Sequence, residues 1–249
     1  MTAAATSRDD VPAGPPSAEI PVLFGDLAAL FEQFTLSVES GQNPIHDWLD
    51  ARLPGGGRLL DVGCGAGRHC LMFSERYDQV LGIDPAAPMI GIARKSRPAA
   101  NISYEERDAY DVTAEKDGQF DAVFSFSAVF HMGRYERILG HLRSLVAPGG
   151  RLVVFDPERT PVYGQPDWQT TYAFEIAQTA YRVTGDAGAA ADGLSLFLHP
   201  SWRKLSELSV PPSREEFHRA YEASLPGVEF ADDLYPGFYA ACWQAPAAG

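Results

Sequence analysis

The chain has 249 residues, 45% of them hydrophobic and 21% charged, with 33 acidic against 20 basic side chains and a formal net charge of −13. That length buries one substantial core, and the average field repels polyanions, so no nucleic-acid partner is expected. The closest basic clusters, Arg94-Lys95-Ser96-Arg97 and Trp202-Arg203-Lys204, fit solvated helix faces. Cys64, Cys70 and Cys242 stand at no metal-ligand spacing. They read as small buried thiols, and no metal is expected.

In chain order, residues 1–20 carry acids and prolines but no apolar run, and are expected to be a disordered leader rather than a signal peptide. No run is read as long enough to span a membrane, which places the chain in the cytoplasm with no membrane partner. Residues 21–249 read as one domain, with order beginning near Pro21. Apolar residues recur at helical spacing through Leu27, Leu30, Phe31 and Phe34, then Ile45, Trp48, Leu49 and Leu53. A break at Gly41–Pro44 divides this N-terminal cap (21–57) into two helices.

Alternation then begins. Strands are predicted at 58–63, 79–84, 102–108, 120–127 and 151–156. Helices are predicted at about 66–77, from Pro85 through Met89 and Ala93, and at 135–146, before the turn Pro148-Gly149-Gly150. Strands alternating with helices give a parallel sheet, and such sheets bind ligands where their strands end. Residues 157–213 show only patchy helical pattern among many aromatics, and read as an irregular insertion. Strand character returns near 228–230 and 238–243, so 214–249 reads as closing strands. The fold class is therefore α/β: a Rossmann-like three-layer αβα sandwich with a mostly parallel seven-stranded sheet.

The strongest motif is Leu59-Leu60-Asp61-Val62-Gly63-Cys64-Gly65-Ala66-Gly67-Arg68-His69. Glycines between a strand and a helix allow a tight turn and close approach of a ligand, and the helix start offers free N–H groups. The dinucleotide fingerprint would need a glycine where Arg68 stands, and no Gly-Lys-Ser/Thr follows, so neither a pyrophosphate loop nor a P-loop is indicated.

Asp61 to Gly67 resembles motif I of the class I S-adenosylmethionine-dependent methyltransferases. Asp84 at the second strand end, Arg107-Asp108-Ala109 after the third, 120–132 and 145–156 resemble later blocks of the small-molecule members related to ubiquinone and menaquinone C-methylating enzymes. The resemblance covers about 58–156, the cofactor-binding core. It implies S-adenosylmethionine as cofactor, S-adenosylhomocysteine as product and a small-molecule substrate. It also implies roles. Gly63, Cys64, Gly65 and Gly67 would carry the loop against the methionine part, with Asp61 holding its ammonium. Asp84 would accept the ribose hydroxyls, and Pro85 and Met89 would pack on adenine. Asp108 and the Ala109 N–H would meet the adenine edge. Ser125 would lie by the methionine, and Phe126 near the reacting methyl.

Two histidines are candidates for a general base: His131, just after the fourth strand, and His199, in the insertion. Asp156 and Glu158 end the fifth strand and could face the same pocket. Trp168, Tyr172 and Trp202 suit an insertion acting as a lid over an apolar acceptor. For each residue a plainer role stands beside the functional one: Asp84 as a helix cap, Asp108 as a turn residue, Met89 as core, the histidines and aromatics as local packing. The leading function is methyl transfer to a small organic acceptor, such as a secondary metabolite, at O, N or C. Alternatives are non-methylating chemistry on the same scaffold, such as cyclisation, rearrangement or decarboxylation, a non-catalytic cofactor-binding regulator, and a nucleic-acid methyltransferase. The negative charge, and Ser125-Phe126-Ser127 in place of a Pro-Pro-Tyr-type motif, oppose the last.

Overall fold

The computed structural model describes residues 17–38, 44–235 and 237–248. Most of the expected leader lies outside them, and order has already begun at Glu19 rather than near Pro21. The chain runs α1 (Glu19–Val38), α2 (Pro44–Arg52), β1 (Arg58–Val62), α3 (Arg68–Ser74), β2 (Gln79–Asp84), α4 (Ala87–Ser96), β3 (Ile102–Glu106), α5 (Ala114–Asp117), β4 (Phe120–Phe126), α6 (Tyr135–Leu145), β5 (Val146–Pro157), α7 (Trp168–Thr184), α8 (Ala187–Phe197), α9 (Pro200–Leu208), α10 (Arg214–Ser224), β6 (Glu229–Tyr235) and β7 (Phe238–Gln244).

The seven strands form one sheet in the order β3-β2-β1-β4-β5-β7-β6. The first five are parallel, and β7 returns antiparallel to β5 with β6 on its outer edge. β1, β4 and β5 read as nearly unbroken apolar runs because both faces of a central parallel strand are covered. One face packs Ile138, Leu139 and Leu142 of α6 with Phe217 and Tyr221 of α10, and the other packs Leu49 of α2, Phe73 of α3 and Ile90 of α4. All five parallel strands end on one edge, where the loops carrying Gly63, Asp84, Asp108, Phe126 and Asp156 collect.

Two expectations are corrected here. Residues 157–213 are largely helical, not irregular. Helices α7 and α8 meet through Ala173, Ala177, Ala180, Ala189 and Gly193, all buried. Such small residues let backbones approach closely but leave no periodic stripe of large side chains to read. Residues 214–224, assigned to closing strands, are α10. Its start carries a capping box, in which the Ser213 hydroxyl accepts from the Glu216 N–H while the Glu216 carboxylate accepts from the Ser213 N–H. That Ser-x-x-Glu signature stands in the sequence.

Helix α1 corrects a third expectation. By length and composition it could cross a membrane, its mean hydropathy reaching 1.2 over a window of 18 residues. Its Ile20, Leu23 and Leu27 are buried with Ala173, Leu196, Phe197 and Leu205 of α7–α9, while most of its residues keep some surface accessible. Together α1 and α7–α9 form a helical cap with its own apolar core.

Phe217 is fully buried and packs against Tyr221, Phe230 and Tyr239. Phe217→Ala should lower unfolding stability by about 3–5 kcal/mol, the usual cost of an aromatic-sized cavity. Urea denaturation measures it, and a change below about 1 kcal/mol would mean that α10 is not part of the core.

Candidate functional site

β1 delivers Asp61 and Val62 to the rim, where the chain turns sharply. The N–H groups of Gly63 and Cys64 both donate to the Ile83 carbonyl at 2.9 Å, and Gly67 N–H donates to the Cys64 carbonyl at 2.9 Å. All three loop glycines have positive φ: 71°, 52° and 82° for Gly63, Gly65 and Gly67. A Cβ at Gly63 would sit 2.4 Å from Ala128 Cβ, and one at Gly67 2.6 Å from Tyr104 Oη. The protein's own packing therefore accounts for those two. At Gly65, among the described residues, no atom beyond the chain neighbours lies within 4 Å of that position, so its backbone lies open beside Asp84.

Asp84 ties the loop to the next helix. One carboxylate oxygen accepts from Gly65 N–H at 3.0 Å, the other from Ala86 N–H at 2.8 Å. The capping role weighed for Asp84 is thus real, yet a carboxylate has further lone pairs to offer. Burial raises its carboxyl to about 6, against the lowering effect of those two N–H groups. Asp61 lies deeper, accepting from the Cys70 thiol at 3.2 Å. Burial raises it to about 7, opposed by the Cys70 bond and reinforced by the Asp84 charge.

The other expected cofactor residues fall around the same rim. Asp108 accepts from Tyr110 N–H at 2.8 Å and caps the 3₁₀ turn Ala109–Asp111. Arg107 braces that turn by donating to the Asp111 carbonyl at 2.6 Å, and is itself held by paired 2.8 Å bonds to Asp117. Pro85 precedes α4 rather than opening it, since Ala86 is the cap. Met89 is buried with Ala28 and Ala86, flanked by Phe24 and Phe31, so its visible contacts are core. The Ser125 hydroxyl donates to the Val62 carbonyl at 2.8 Å, fixing β1 to β4 one residue before the glycine loop. Ser127 adopts φ 57°, a left-handed conformation that is costly outside glycine and gathers at functional rims.

The base candidates are engaged otherwise. His131 Nδ1 lies 2.7 Å from Ser209 Oγ, which donates to the Phe130 carbonyl at 3.2 Å. With the hydroxyl proton used there, the imidazole donates from Nδ1. His131 also meets Phe24 edge-on at 5.0 Å, clasping the cap to the end of β4. His199 is the N-cap of α9, its Nδ1 accepting from Ser201 N–H at 3.2 Å. Asp156 is fully buried and accepts from Tyr135 and Tyr221 hydroxyls at 2.7 and 3.1 Å, a structural tie among β5, α6 and α10. Glu158 is exposed.

Tyr172 and Trp202 join Phe31, Phe34 and Phe197 inside the cap. Trp168 packs on Tyr163 at 4.9 Å. Phe126 belongs to a different cluster with Phe155, Tyr235 and Phe238. Phe126, expected near the reacting methyl, and Trp168, Tyr172 and Trp202, expected in the lid, therefore form no single surface.

Arg97 was read as part of a solvated face. It is buried, donates to the Ala66 carbonyl at 2.9 Å and pairs with Glu32 of α1 at 2.8 Å. It thus couples the glycine loop to the cap, a role with no local sequence signal.

A family model described as "Methyltransferase domain" matches residues 60–154. A ubiquinone biosynthesis O-methyltransferase of Xanthomonas axonopodis pv. citri is 34% identical over 123 residues, 48% of this chain and 52% of that one. Over these core residues the chain is similar to S-adenosylmethionine-dependent methyltransferases. A demethylmenaquinone methyltransferase of Thermus thermophilus is 40% identical over 103 residues, 40% and 46% of the two chains. The chain thus spans about half the length of the curated relatives it matches. The crystal structure of the [4+2]-cyclase SpnF shares the fold at TM-score 0.58 and 16% identity, over 96% of this chain and 99% of that one.

Asp61 and Asp84 both have folded pKa values above the unfolded 3.8. Between about pH 4 and 7 the folded protein therefore binds more protons than the unfolded one, and the contribution of these groups to stability declines as pH rises. In Asp61→Asn the ligand-free protein should show a shallower decline across that window. Chemical denaturation at several pH values measures it, and an undiminished slope would contradict the burial account.

Proposed function

We propose that this chain transfers the methyl group of S-adenosylmethionine to a small organic acceptor, in the cytoplasm. The observation that carries this reading is the open backbone at Gly65 beside the Asp84 carboxylate, at the strand ends of a core that matches a methyltransferase-domain model. That cradle suits a ligand with vicinal hydroxyls and a charged amino-acid end. Asp84 has lone pairs left for the ribose hydroxyls. Asp61 sits close beneath the loop to favour the ammonium. Asp108 and Ala109 flank the place for the adenine edge, with Pro85 beside it. The Gly63–Gly65 backbone and Ser125 lie along the methionine part.

The cofactor supplies an electrophilic methyl on a sulfonium. The protein's share is to orient the acceptor and keep water out, and orientation alone can contribute about 7–11 kcal/mol in favourable cases. The cap of α1 and α7–α9 does the excluding. It is tied to the rim at the glycine loop by Arg97 and at the end of β4 by His131 and Ser209. The quinone-biosynthesis names of the relatives make a phenolic or quinol ring the first acceptor class to try. That choice is compatible with the rings gathered around Phe126.

Calorimetric titration tests the reading. S-adenosylmethionine and S-adenosylhomocysteine should bind saturably and NAD should not. Asp84→Ala should weaken both sulfur ligands by about 10- to 100-fold, the worth of hydrogen bonds to a charged group. A folded wild-type protein that binds neither sulfur ligand would overturn it.

A further inference from the structure

We propose that His69 is the residue that holds the acceptor's nucleophilic hydroxyl, set in a wall of half-buried rings formed by Trp48, Phe126, Tyr235 and Phe238. The proposal deepens the methyltransferase reading and rests on it.

His69 is the second residue of α3, two positions beyond Gly67. Its ring centroid lies 5.0 Å from that of Phe124 and 5.0 Å from that of Phe126. Phe126, the last residue of β4, stacks on Phe238 with centroids 4.8 Å apart and planes 27° apart. Tyr235 stands 6.2 Å from Phe126 and 5.3 Å from Phe238. Trp48 of α2 meets Phe155 edge-on at 5.5 Å, and Phe155 lies 5.4 Å from Phe126. Elements far apart in sequence thus bring their rings to the edge where the parallel strands end, beside the glycine loop. Trp48, His69, Phe126, Tyr235 and Phe238 all keep part of their surface accessible. Such faces suit a planar ring.

Among the histidines described, His131, His141, His199 and His218 each use a ring nitrogen in a hydrogen bond. Among the described residues His69 has no hydrogen-bond partner, and neither of its nitrogens is an enclosed, unsatisfied atom. An apolar wall with one open imidazole is the arrangement that fixes a ring by its faces and its hydroxyl by direction. Burial, followed by the charges of Arg68 and His46, holds the His69 pKa well below the ordinary value. The ring is therefore neutral at neutral pH and has a lone pair to offer.

The proton step balances. The hydroxyl donates to one ring nitrogen. Its O–H bond would break as the oxygen forms its new bond to the methyl carbon; the methyl–sulfur bond would break with its electron pair leaving on S-adenosylhomocysteine, and the proton would pass to that nitrogen and then to water. His131, clasped to Ser209, is not needed as the base.

The test uses the full chain with S-adenosylhomocysteine bound, histidine-labelled for NMR, and catechol as probe. Catechol should bind and shift the His69 ring resonances. In His69→Phe, which keeps an aromatic ring, catechol binding should weaken by about tenfold, the loss of one hydrogen bond. In His69→Gln, which keeps an acceptor, part of that loss should be recovered. S-adenosylhomocysteine affinity should stay within about threefold in both, showing that the fold and cofactor site persist. Unmoved His69 resonances at saturating catechol, equal catechol affinity in His69→Phe, or no catechol binding up to its solubility would overturn the proposal while leaving the cofactor reading intact. Failure of the wild-type protein to bind S-adenosylhomocysteine would instead remove the reading beneath it.

Discussion

The rim of this molecule depends on one carboxylate. Asp84 ends β2 and accepts from Gly65 N–H on one oxygen and Ala86 N–H on the other. It therefore fixes the glycine loop after β1 and the start of α4 in one stroke. Those N–H groups would otherwise lack partners, and hydrogen bonds to a charged acceptor are worth about 1.5–3 kcal/mol each. Burial works against the charge, as the raised pKa shows. The balance leaves a desolvated anion with lone pairs to spare, beside part-exposed backbone at Gly65, where a side chain would meet no described atom beyond its chain neighbours within 4 Å. A site built this way is organised before a ligand arrives.

The cap follows from the same rim. Arg97 reaches from the end of α4 to the Ala66 carbonyl in the loop and to Glu32 on α1. Both side chains of that ion pair are mostly buried, so removing either partner would leave an uncompensated charge. On the far side, His131 and Ser209 bind the end of α9 to the turn after β4. Between these ties, α1 lies along the α4 start, with Ala28 against Ala86 and Met89. Any movement of α1 is thereby linked to the loop, and the cap's apolar core with α7–α9 makes the four helices move together if they move at all.

How much of this was legible in the sequence depended on range. The parallel strands, the seven-stranded sheet and the glycine loop are encoded by residues within a few positions of one another, and they stand in the structure nearly where the pattern put them. The cap helices were hidden because α7 and α8 pack through alanines and Gly193, which carry no large apolar stripe. Helix α10 was missed although its capping box is written in Ser213 and Glu216, because strand character at 228–230 was extended backwards over it. Arg97 looked like one more charge on a helix surface. Only the tertiary fold puts Ala66 and Glu32 within its reach. His69 carries no distinguishing local signal for a similar reason: it sits inside the most legible motif of the chain, but its neighbours come from β4 and, through Phe126, from β6 and β7.

The rim divides into two chemical halves, and in the proposed reaction one would meet the methyl donor and the other the acceptor. On the β1–β3 side the groups are carboxylates and backbone N–H groups, placed by short segments whose conformation a glycine or an aspartate dictates. On the β4–β7 side they are rings contributed by separate elements, with one imidazole among them. Donor alignment needs fixed polar directions, which backbone supplies. Acceptor alignment needs a dry surface of the right outline, because near-attack geometry tolerates little misplacement. A surface assembled from Trp48, Phe126, Tyr235 and Phe238 can be reshaped by one substitution in any element without disturbing Asp84 or the loop. Within such a wall a charged base would be costly to keep ionised, whereas a neutral imidazole offers a directed lone pair at little desolvation cost. The physical demands of the two halves thus favour separate solutions, one read from the backbone and one from the side chains the fold brings together.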